Sequence, residues 1–244
     1  MELMERVKEQ TEGLGVEIKE IEAVTHIDLQ SKTRVVTTDE DKYSAKSVII
    51  ATGREPIKLS IETESNHVHY CAICDGSLYK DKHVLVVGGG NSGVGDTLYL
   101  LGQGVGRITL VEQMDCLLAS QKEQDRLICC QNVKVMTCTE VVDIGTRDEQ
   151  HSVTLKNTEN GETKVIDVCG IFVYIGQKPK TDLFQGVLEM DKDGYIIADE
   201  NMATNVEGVF VAGDVRQKKI RQLTTAINDG AIAAFSAAEY IWST

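Results

Sequence analysis

The chain has 244 residues, 42% of them hydrophobic and 26% charged, with a formal net charge of −13 at pH 7. That is a globular composition with enough chain for one large domain or two ordinary ones, and its negative balance argues against a nucleic-acid partner, which would call for a basic face. No apolar run reaches the roughly 20 residues of a membrane span, and the opening MELMERVKEQ is a charged helical pattern rather than a signal peptide.

In chain order, Leu3, Met4, Val7 and Leu14 fall near helical spacing and predict an amphipathic helix over 2–14. Strands are expected at 15–21, 34–38 and 42–50, the last closing on VIIATG. A polar loop at 62–66 leads through a cysteine pair, YCAICDG, to a strand at 83–87, a glycine run and a helix to residue 101. A strand at 107–112 then completes a β-turn-α-β unit. NTENGETKV marks a hairpin whose Asn160-Gly161 pair suits a type I′ turn. GIFVYIG (170–176) and GVFVAGD (208–214) read as buried strands, and a small-residue helix is expected over 224–241. Alternating strands and helices predict an α/β protein. Pro56 and Pro179, the two prolines, each follow a strand that ends in glycine and mark crossovers between domains.

Gly88-Gly-Gly90-Asn91-Ser92-Gly93 fits G-x-G-x-x-G between a strand and a helix, the context that makes the motif specific. Gly88 permits the tight turn, Gly90 lets backbone approach a pyrophosphate, and Gly93 allows close helix–strand packing. The helix N-terminus turns its unpaired N–H groups toward the phosphates. Glu112 lies 19 residues after Gly93 at the end of the next strand, where a carboxylate accepts hydrogen bonds from ribose hydroxyls. With no arginine or lysine beside it, a 2′-phosphate would be repelled, so NADH is favoured over NADPH.

Seven cysteines (71, 74, 116, 129, 130, 138 and 169) without a secretory signal suggest a reducing, cytoplasmic compartment. Five are expected as buried small hydrophobes. Cys71 and Cys74 stand apart. A zinc site needs four ligands, and the chain offers only a loose His67-x-His69 pair nearby, so no metal is expected. A bridge across four residues constrains the unfolded chain little. A redox dithiol explains the spacing best, since C-x-x-C lowers a thiol pKa and closes a reversible disulfide. Asp75, next in line, is placed to move a proton or, more plainly, to form a turn with Gly76. A dithiol beside a nicotinamide site implies electrons passing between them, with flavin the usual intermediary.

YCAICDG resembles the redox motif of low-molecular-weight thioredoxin reductases, and VVGGGNSGV their nicotinamide-nucleotide turn. VIIATGREP is similar to the segment joining their two domains, and GVFVAGDV with RQLTTAINDGAIAA to their flavin-binding tail. The flavoprotein subunit of alkyl hydroperoxide reductase is a close cousin. The resemblance implies two Rossmann-like three-layer nucleotide-binding domains of the pyridine nucleotide-disulfide oxidoreductase type. FAD would be held by 1–57 with 178–244, and NAD(P)H by 58–177, which also carries the C-x-x-C; in this family the two domains rotate during turnover. Cys74 would be the thiol nearest the flavin, Cys71 the one that attacks a thioredoxin-fold partner, and Asp75 the acid–base residue. Asp214, after Gly213, would bind the ribityl chain, with Arg221, Gln222 and Leu223 along the isoalloxazine. Ala51, Thr52 and Gly53 would pass near the flavin diphosphate, and Ile175 and Gly176 near the nicotinamide half. A homodimer is implied as well.

Three departures from the family matter; one is that Gly95 and Asp96 stand where acidic pairs are common, and the other two shape the expectations. Glu112-Gln113-Met114 and Leu118 replace a basic cluster of the NADPH-specific members, in line with the charge argument. The family also begins with its own glycine-rich βαβ unit, whereas this sequence starts at a helix and carries one fingerprint. Either the chain is a fragment or a truncated gene product, or its flavin is held poorly; a first domain that is incomplete and a sheet with an exposed edge are the expectations that follow. A catalytically silent remnant that still binds NADH, or a reductase fed by ferredoxin, stay open beside the leading reading.

Overall fold

Local chemistry sets where the first elements begin and end. Helix α1 (Glu2–Gly13) stops as Gly15 takes a left-handed φ of 80°, a conformation that costs glycine nothing. The strand expected at 15–21 does not form. Val16, Ile18 and Ile21 stay exposed, and among the described residues no sheet includes this segment. The computed structural model describes residues 2–31, 33–61, 67–147 and 150–244; the loop expected at 62–66 lies outside them. The chain divides into two units, Met1–Arg54 with Pro179–Thr244, and Glu55–Lys178.

The first unit continues with a meander of β1 (Val24–Asp28), β2 (Arg34–Thr38) and β3 (Lys42–Ala45), of which β1 was not foreseen. The strand expected over 42–50 is in fact two, β3 and β4 (Val48–Ile50), because its halves serve different sheets. The buried Arg34 guanidinium turns the corner between them: it donates to the Lys46 carbonyl at 2.6 Å, to the Glu207 carbonyl, and to the Tyr240 hydroxyl at 3.1 Å.

From residue 54 to 179 the chain runs through β5 (Arg54–Pro56), β6 (Val68–His69), the short helix α2 (Ala72–Asp75), β7 (His83–Val87) and α3 (Asn91–Gly102). Next come β8 (Arg107–Val111), α4 (Gln121–Ile128), β9 (Val133–Met136), then β10 (Thr139–Arg147), β11 (Gln150–Asn157) and β12 (Thr163–Val168). The run closes with β13 (Gly170–Val173) and β14 (Gln177–Pro179). A five-stranded parallel sheet, β6-β13-β7-β8-β9, forms the middle layer of the second unit. Side chains alternate across it. Val84, Val86, Ile108 and Leu110 pack with Val94, Leu100 and Leu127 of the helices, while Leu85, Val87 and Val111 pack with Ile144, Val153 and Leu155 of the antiparallel β10-β11-β12 sheet. A strand covered on both faces must be apolar at every position, which is why HVLVV and GIFV read as continuous runs.

The hairpin between β11 and β12 forms where expected, but not as a type I′ turn. Five residues intervene, and Gly161 alone has positive φ, at 74°. The Asn157 carboxamide oxygen accepts from the Glu159 and Asn160 N–H groups, so the loop is capped from its first strand. The cysteines also depart from expectation. Cys138 is buried, but Cys116 and Cys129 are exposed and Cys130 and Cys169 half-buried. Cys129 and Cys130 follow α4 and donate back to the Asp125 and Arg126 carbonyls, a helix-end role that keeps them near water.

The chain returns to the first unit with β15 (Val209–Val211), parallel to β4, and helix α5 (Leu223–Ser243). Ile50, Val209, Val211, Phe184, Leu188 and Ile196 form one core there, and Phe210, Ala233 and Ala237 another against α5.

Gly95 sits inside α3, where a Cβ would meet nothing closer than the Glu123 carboxylate at 3.8 Å. Gly95→Ala is therefore expected to stabilise the chain by about 1 kcal/mol, read as a higher thermal midpoint.

Candidate functional sites in the two units

The second unit carries the glycine turn and the cysteine pair. Strand β7 enters the turn at Gly88, whose φ of 111° only glycine tolerates; a Cβ there would also lie 2.3 Å from the Tyr174 carbonyl oxygen. A Cβ on Gly93 would lie 1.9 Å from the Gly88 carbonyl oxygen, so α3 can start this close to the strand only with glycine at that place. Gly90 caps the helix, and a Cβ there meets nothing within 4 Å. It opens into a cleft of about 810 Å³.

That cleft brings together most of the nucleotide residues expected from the sequence. Gly88, Gly90, Asn91, Ser92, Glu112, Ile175 and Gly176 all line it; Gly93 is buried. The Glu112 carboxylate is also part of the turn's frame. Its Oε2 accepts from the Gly89 N–H at 2.6 Å, and its Oε1 from the Met114 N–H at 3.0 Å. Asn91 Oδ1 accepts from the Ser120 N–H at 2.8 Å, which fixes the loop that enters α4. The first N–H groups of α3 have no acceptor within their own helix and face an open space. A mostly backbone cradle, a helix start and one carboxylate fit a nicotinamide dinucleotide.

Cys71 and Cys74 are joined in a disulfide with their Cα atoms 5.4 Å apart. Cys71 caps α2, its sulfur accepting from the Cys74 N–H at 3.2 Å; Cys71 is half-buried and Cys74 exposed. Asp75 closes α2 and places Oδ2 3.1 Å from Nδ1 of His69. His69 Nε2 is 2.6 Å from the Tyr79 hydroxyl, which is 3.1 Å from His67 Nδ1. The histidine pair weighed as metal ligands thus turns to a tyrosine. Burial lowers the His69 pKa below the ordinary imidazole value against the opposing pull of Asp75. Burial, reinforced by the Asp75 charge, pushes the Tyr79 hydroxyl up to about 12.

The first unit gathers the residues expected around flavin. β4 and β15 run side by side, Ala212 donating to the Ile50 carbonyl at 2.8 Å, so Ala51-Thr52-Gly53 and Gly213-Asp214 leave the same sheet end. Asp214 receives Arg54 at 3.0 Å through Oδ2, and its carbonyl accepts from Arg221 Nε at 3.3 Å. Arg54 Nε is buried with no hydrogen-bond partner among the described residues, a donor that a bound group beside Asp214 would satisfy. Thr52 Oγ1 donates to the Lys180 carbonyl at 2.7 Å, and Gly53 has a left-handed φ of 68°. The Arg221 guanidinium lies 3.8 Å over the Tyr195 ring. Gln222 is the N-cap of α5 in a capping box with Thr225, and Leu223 is exposed at the helix start. A polar turn, an orphaned donor and glycines with room beside them fit a flavin.

Sequence reasoning missed the residue that holds this turn. Asp229, only 2% exposed, accepts from the Gly213 N–H at 3.1 Å, from Arg216 at 2.9 and 3.1 Å, and from Lys218 at 2.8 Å. A lone acid in the small-residue run INDGAIAA was the available signal. Tyr79 was missed likewise, and His67 and His69 were read only as a loose ligand pair, since their meeting with Tyr79 depends on the tertiary fold.

The family model for pyridine nucleotide-disulphide oxidoreductases matches residues 2–230. A 34.2 kDa protein in the rubredoxin operon of Clostridium pasteurianum is 41% identical over 98% of this chain and 79% of its own length. The thioredoxin reductase of Peptoclostridium acidaminophilum is 39% identical over 98% of this chain and 78% of its own. Among solved structures, the Lactococcus lactis thioredoxin reductase superposes with a TM-score of 0.89 at 35% identity, over 100% of this chain and 81% of that one. The T. acidophilum thioredoxin reductase gives 0.84 at 30% identity, over 99% and 80%.

Proposed function

The chain belongs to the pyridine nucleotide-disulphide oxidoreductase family, and from that premise we propose that it is a thioredoxin reductase-like disulfide reductase that draws electrons from NADH, uses FAD, and delivers them through Cys71 and Cys74 to a thioredoxin-fold protein. The observation that carries this reading is the presence, in one unit, of a C-x-x-C disulfide and a glycine turn framed by Glu112. The backbone N–H groups at the start of α3 hold the pyrophosphate, and Gly90 leaves it room. Glu112 keeps acceptor capacity for ribose hydroxyls and meets a 2′-phosphate with like charge, which supports NADH over NADPH. Ile175 and Gly176 border the nicotinamide end of the cleft.

FAD, when bound, supplies the two-electron relay between a nicotinamide and a disulfide. Residues 1–57 with 178–244 hold it, and 58–177 hold the dinucleotide. Ala51, Thr52, Gly53, Gly213 and Asp214 bind it, with Arg221, Gln222 and Leu223 beside the ring. Cys71 attacks the partner disulfide, Cys74 resolves the mixed disulfide, and Asp75 carries the proton that the leaving sulfur needs. A homodimer is supported by the apolar stripe of Ile227, Phe235 and Trp242 on α5, all exposed in the single chain. The free cysteines support a reducing, cytoplasmic setting, and no described helix is long and apolar enough to cross a membrane.

The test mixes the full chain with FAD, NADH and an oxidised thioredoxin. Loss of nicotinamide absorbance matched by two new thiols per NADH is the expected result; NADH binding with no thiol formed overturns it. Glu112→Ala should weaken NADH by about 1–2 kcal/mol, the scale of lost hydrogen bonds to a charged group. The ratio of NADPH to NADH affinity should rise at the same time, which a purely structural loss would not produce. Fluorescence titration of both nucleotides reads that ratio, and an unchanged ratio ends the ribose assignment.

A further inference from the structure

From the hydrogen-bonded row Asp75–His69–Tyr79–His67 we infer a proton path that joins the acid–base residue of the disulfide to solvent, with His69 and Tyr79 as positioning residues that act through Asp75. The inference rests on the acid–base reading of Asp75 proposed above. Its three links measure 3.1, 2.6 and 3.1 Å. One end, Asp75, closes the redox helix; the middle, Tyr79, is 2% exposed; the far end, His67, is exposed. The tertiary structure makes room for the row. A Cβ on Gly170 would lie 2.4 Å from a Tyr79 ring carbon, and Phe172 packs against both His69, at a tilt, and Tyr79, edge-on.

The chemistry of the groups orients every link. A carboxylate only accepts, so His69 Nδ1–H donates to Asp75. With His69 neutral, its Nε2 accepts, so the Tyr79 O–H donates to it. The Tyr79 oxygen then accepts from His67 Nδ1–H. All three protons point the same way, toward Asp75, which is the arrangement a stepwise relay needs. Burial favours neutral His69, and the high Tyr79 pKa keeps its proton in place between transfers. Among the described residues, groups facing the row include the Tyr174 hydroxyl, which feels the Asp75 charge, the His151 ring, 5.2 Å from that of His67, the Lys82 ammonium 5.7 Å from the Tyr79 ring centre, and the Cys169 thiol near Tyr79.

The step balances as follows. A dithiol reductant gives two electrons to the Cys71–Cys74 bond, is itself oxidised to a disulfide, and loses two protons to water. One chain sulfur remains a thiolate, and the other is protonated through Asp75: the carboxylate takes the Nδ1 proton of His69 and hands it to the leaving sulfur, ending as a carboxylate again. His69 is refilled at Nε2 from Tyr79, Tyr79 from His67 Nδ1, and His67 at its other nitrogen from water. When the dithiol is reoxidised the same row carries the proton out, which restores its starting polarity.

The test follows dithiothreitol reduction of the disulfide in the full chain across pH, by quenching and mass measurement of the cysteine peptide. Variants are Asp75→Asn, Tyr79→Phe, which keeps the ring, and His67→Gln at the exposed end. At pH near 6, Asp75→Asn should be about 100-fold slower, at the low end of general acid catalysis, and the other two, which act only through it, about tenfold. All should converge on the parent above pH of about 9, where a leaving thiolate needs no proton. Added imidazole should restore His67→Gln and leave Tyr79→Phe slow. If Asp75→Asn is slow while Tyr79→Phe and His67→Gln match the parent at every pH, the relay is wrong and the role of Asp75 stands. If Asp75→Asn is as fast as the parent, that role falls and the relay with it. Should Tyr79→Phe fail to fold, His67→Gln and its imidazole response decide the matter alone.

Discussion

Cys74→Ser is expected to abolish disulfide reduction, with turnover on an oxidised thioredoxin down about 10⁴-fold or more, the scale of losing a covalent participant. The reason is stoichiometric. Reduction of a partner disulfide needs one sulfur to attack and a second to release the product, and only a pair within bonding reach can do both. In this chain that pair is Cys71 and Cys74, already joined. With serine at 74, Cys71 still attacks but nothing resolves the adduct, so a mixed disulfide between Cys71 and the partner should accumulate and survive non-reducing electrophoresis. Cys71→Ser should trap none. NADH affinity should not change in either variant, because the Gly88–Gly93 turn and Glu112 make no hydrogen bond to the cysteines. Turnover by Cys74→Ser at a tenth of the parental rate would mean that the electrons leave by another route.

Asp229→Asn should cost about 3–5 kcal/mol of stability, the range for breaking one partner out of a buried charge cluster. The substitution keeps the shape and removes the charge, leaving the largely buried Arg216 without a counter-ion and Lys218 with only the more distant Asp214 carboxylate, 3.9 Å away. An amide also turns a donor toward groups that are donors themselves. Burial pushes the Asp229 pKa up, but the hydrogen bonds and charges of Arg216 and Lys218 outweigh it and hold the carboxyl below its ordinary value. A depressed folded-state pKa contributes stability that is present above the unfolded value, near ~3.9, and is lost as pH falls through the lower folded one. The gap between parent and variant in urea midpoint should accordingly be full at neutral pH and shrink below pH of about 4. A gap that is small at pH 7, or that widens in acid, would show that the cluster does not stabilise the fold.

What was legible in the sequence was what short-range chemistry decides. The strand HVLVV, the glycine turn and the helix after it follow from a continuous apolar run meeting a backbone that only glycine permits, and all three form as expected. The C-x-x-C pair is legible for the same reason, as its spacing alone lets the sulfurs meet. Residues 15–21 misled because alternating Val16 and Ile18 look like a half-buried strand, yet among the described residues no strand pairs with them. The break at Lys46–Ser47 was invisible because Arg34 and Glu207, which make that corner, are far away in sequence. Asp229 and Tyr79 belong to the same class: each matters through partners that only the folded chain assembles.

Glu112 has two places in the structure with one carboxylate, bracing the loop at Gly89 while lining the cleft. On the reading proposed above, coenzyme choice and backbone architecture are therefore inherited together. A lineage drifting toward the phosphorylated coenzyme could not simply exchange this acid for a basic residue, because the Gly89 amide would lose its acceptor in the same mutation. It would first have to brace that amide from elsewhere, so the preference is guarded by the fold as well as by charge.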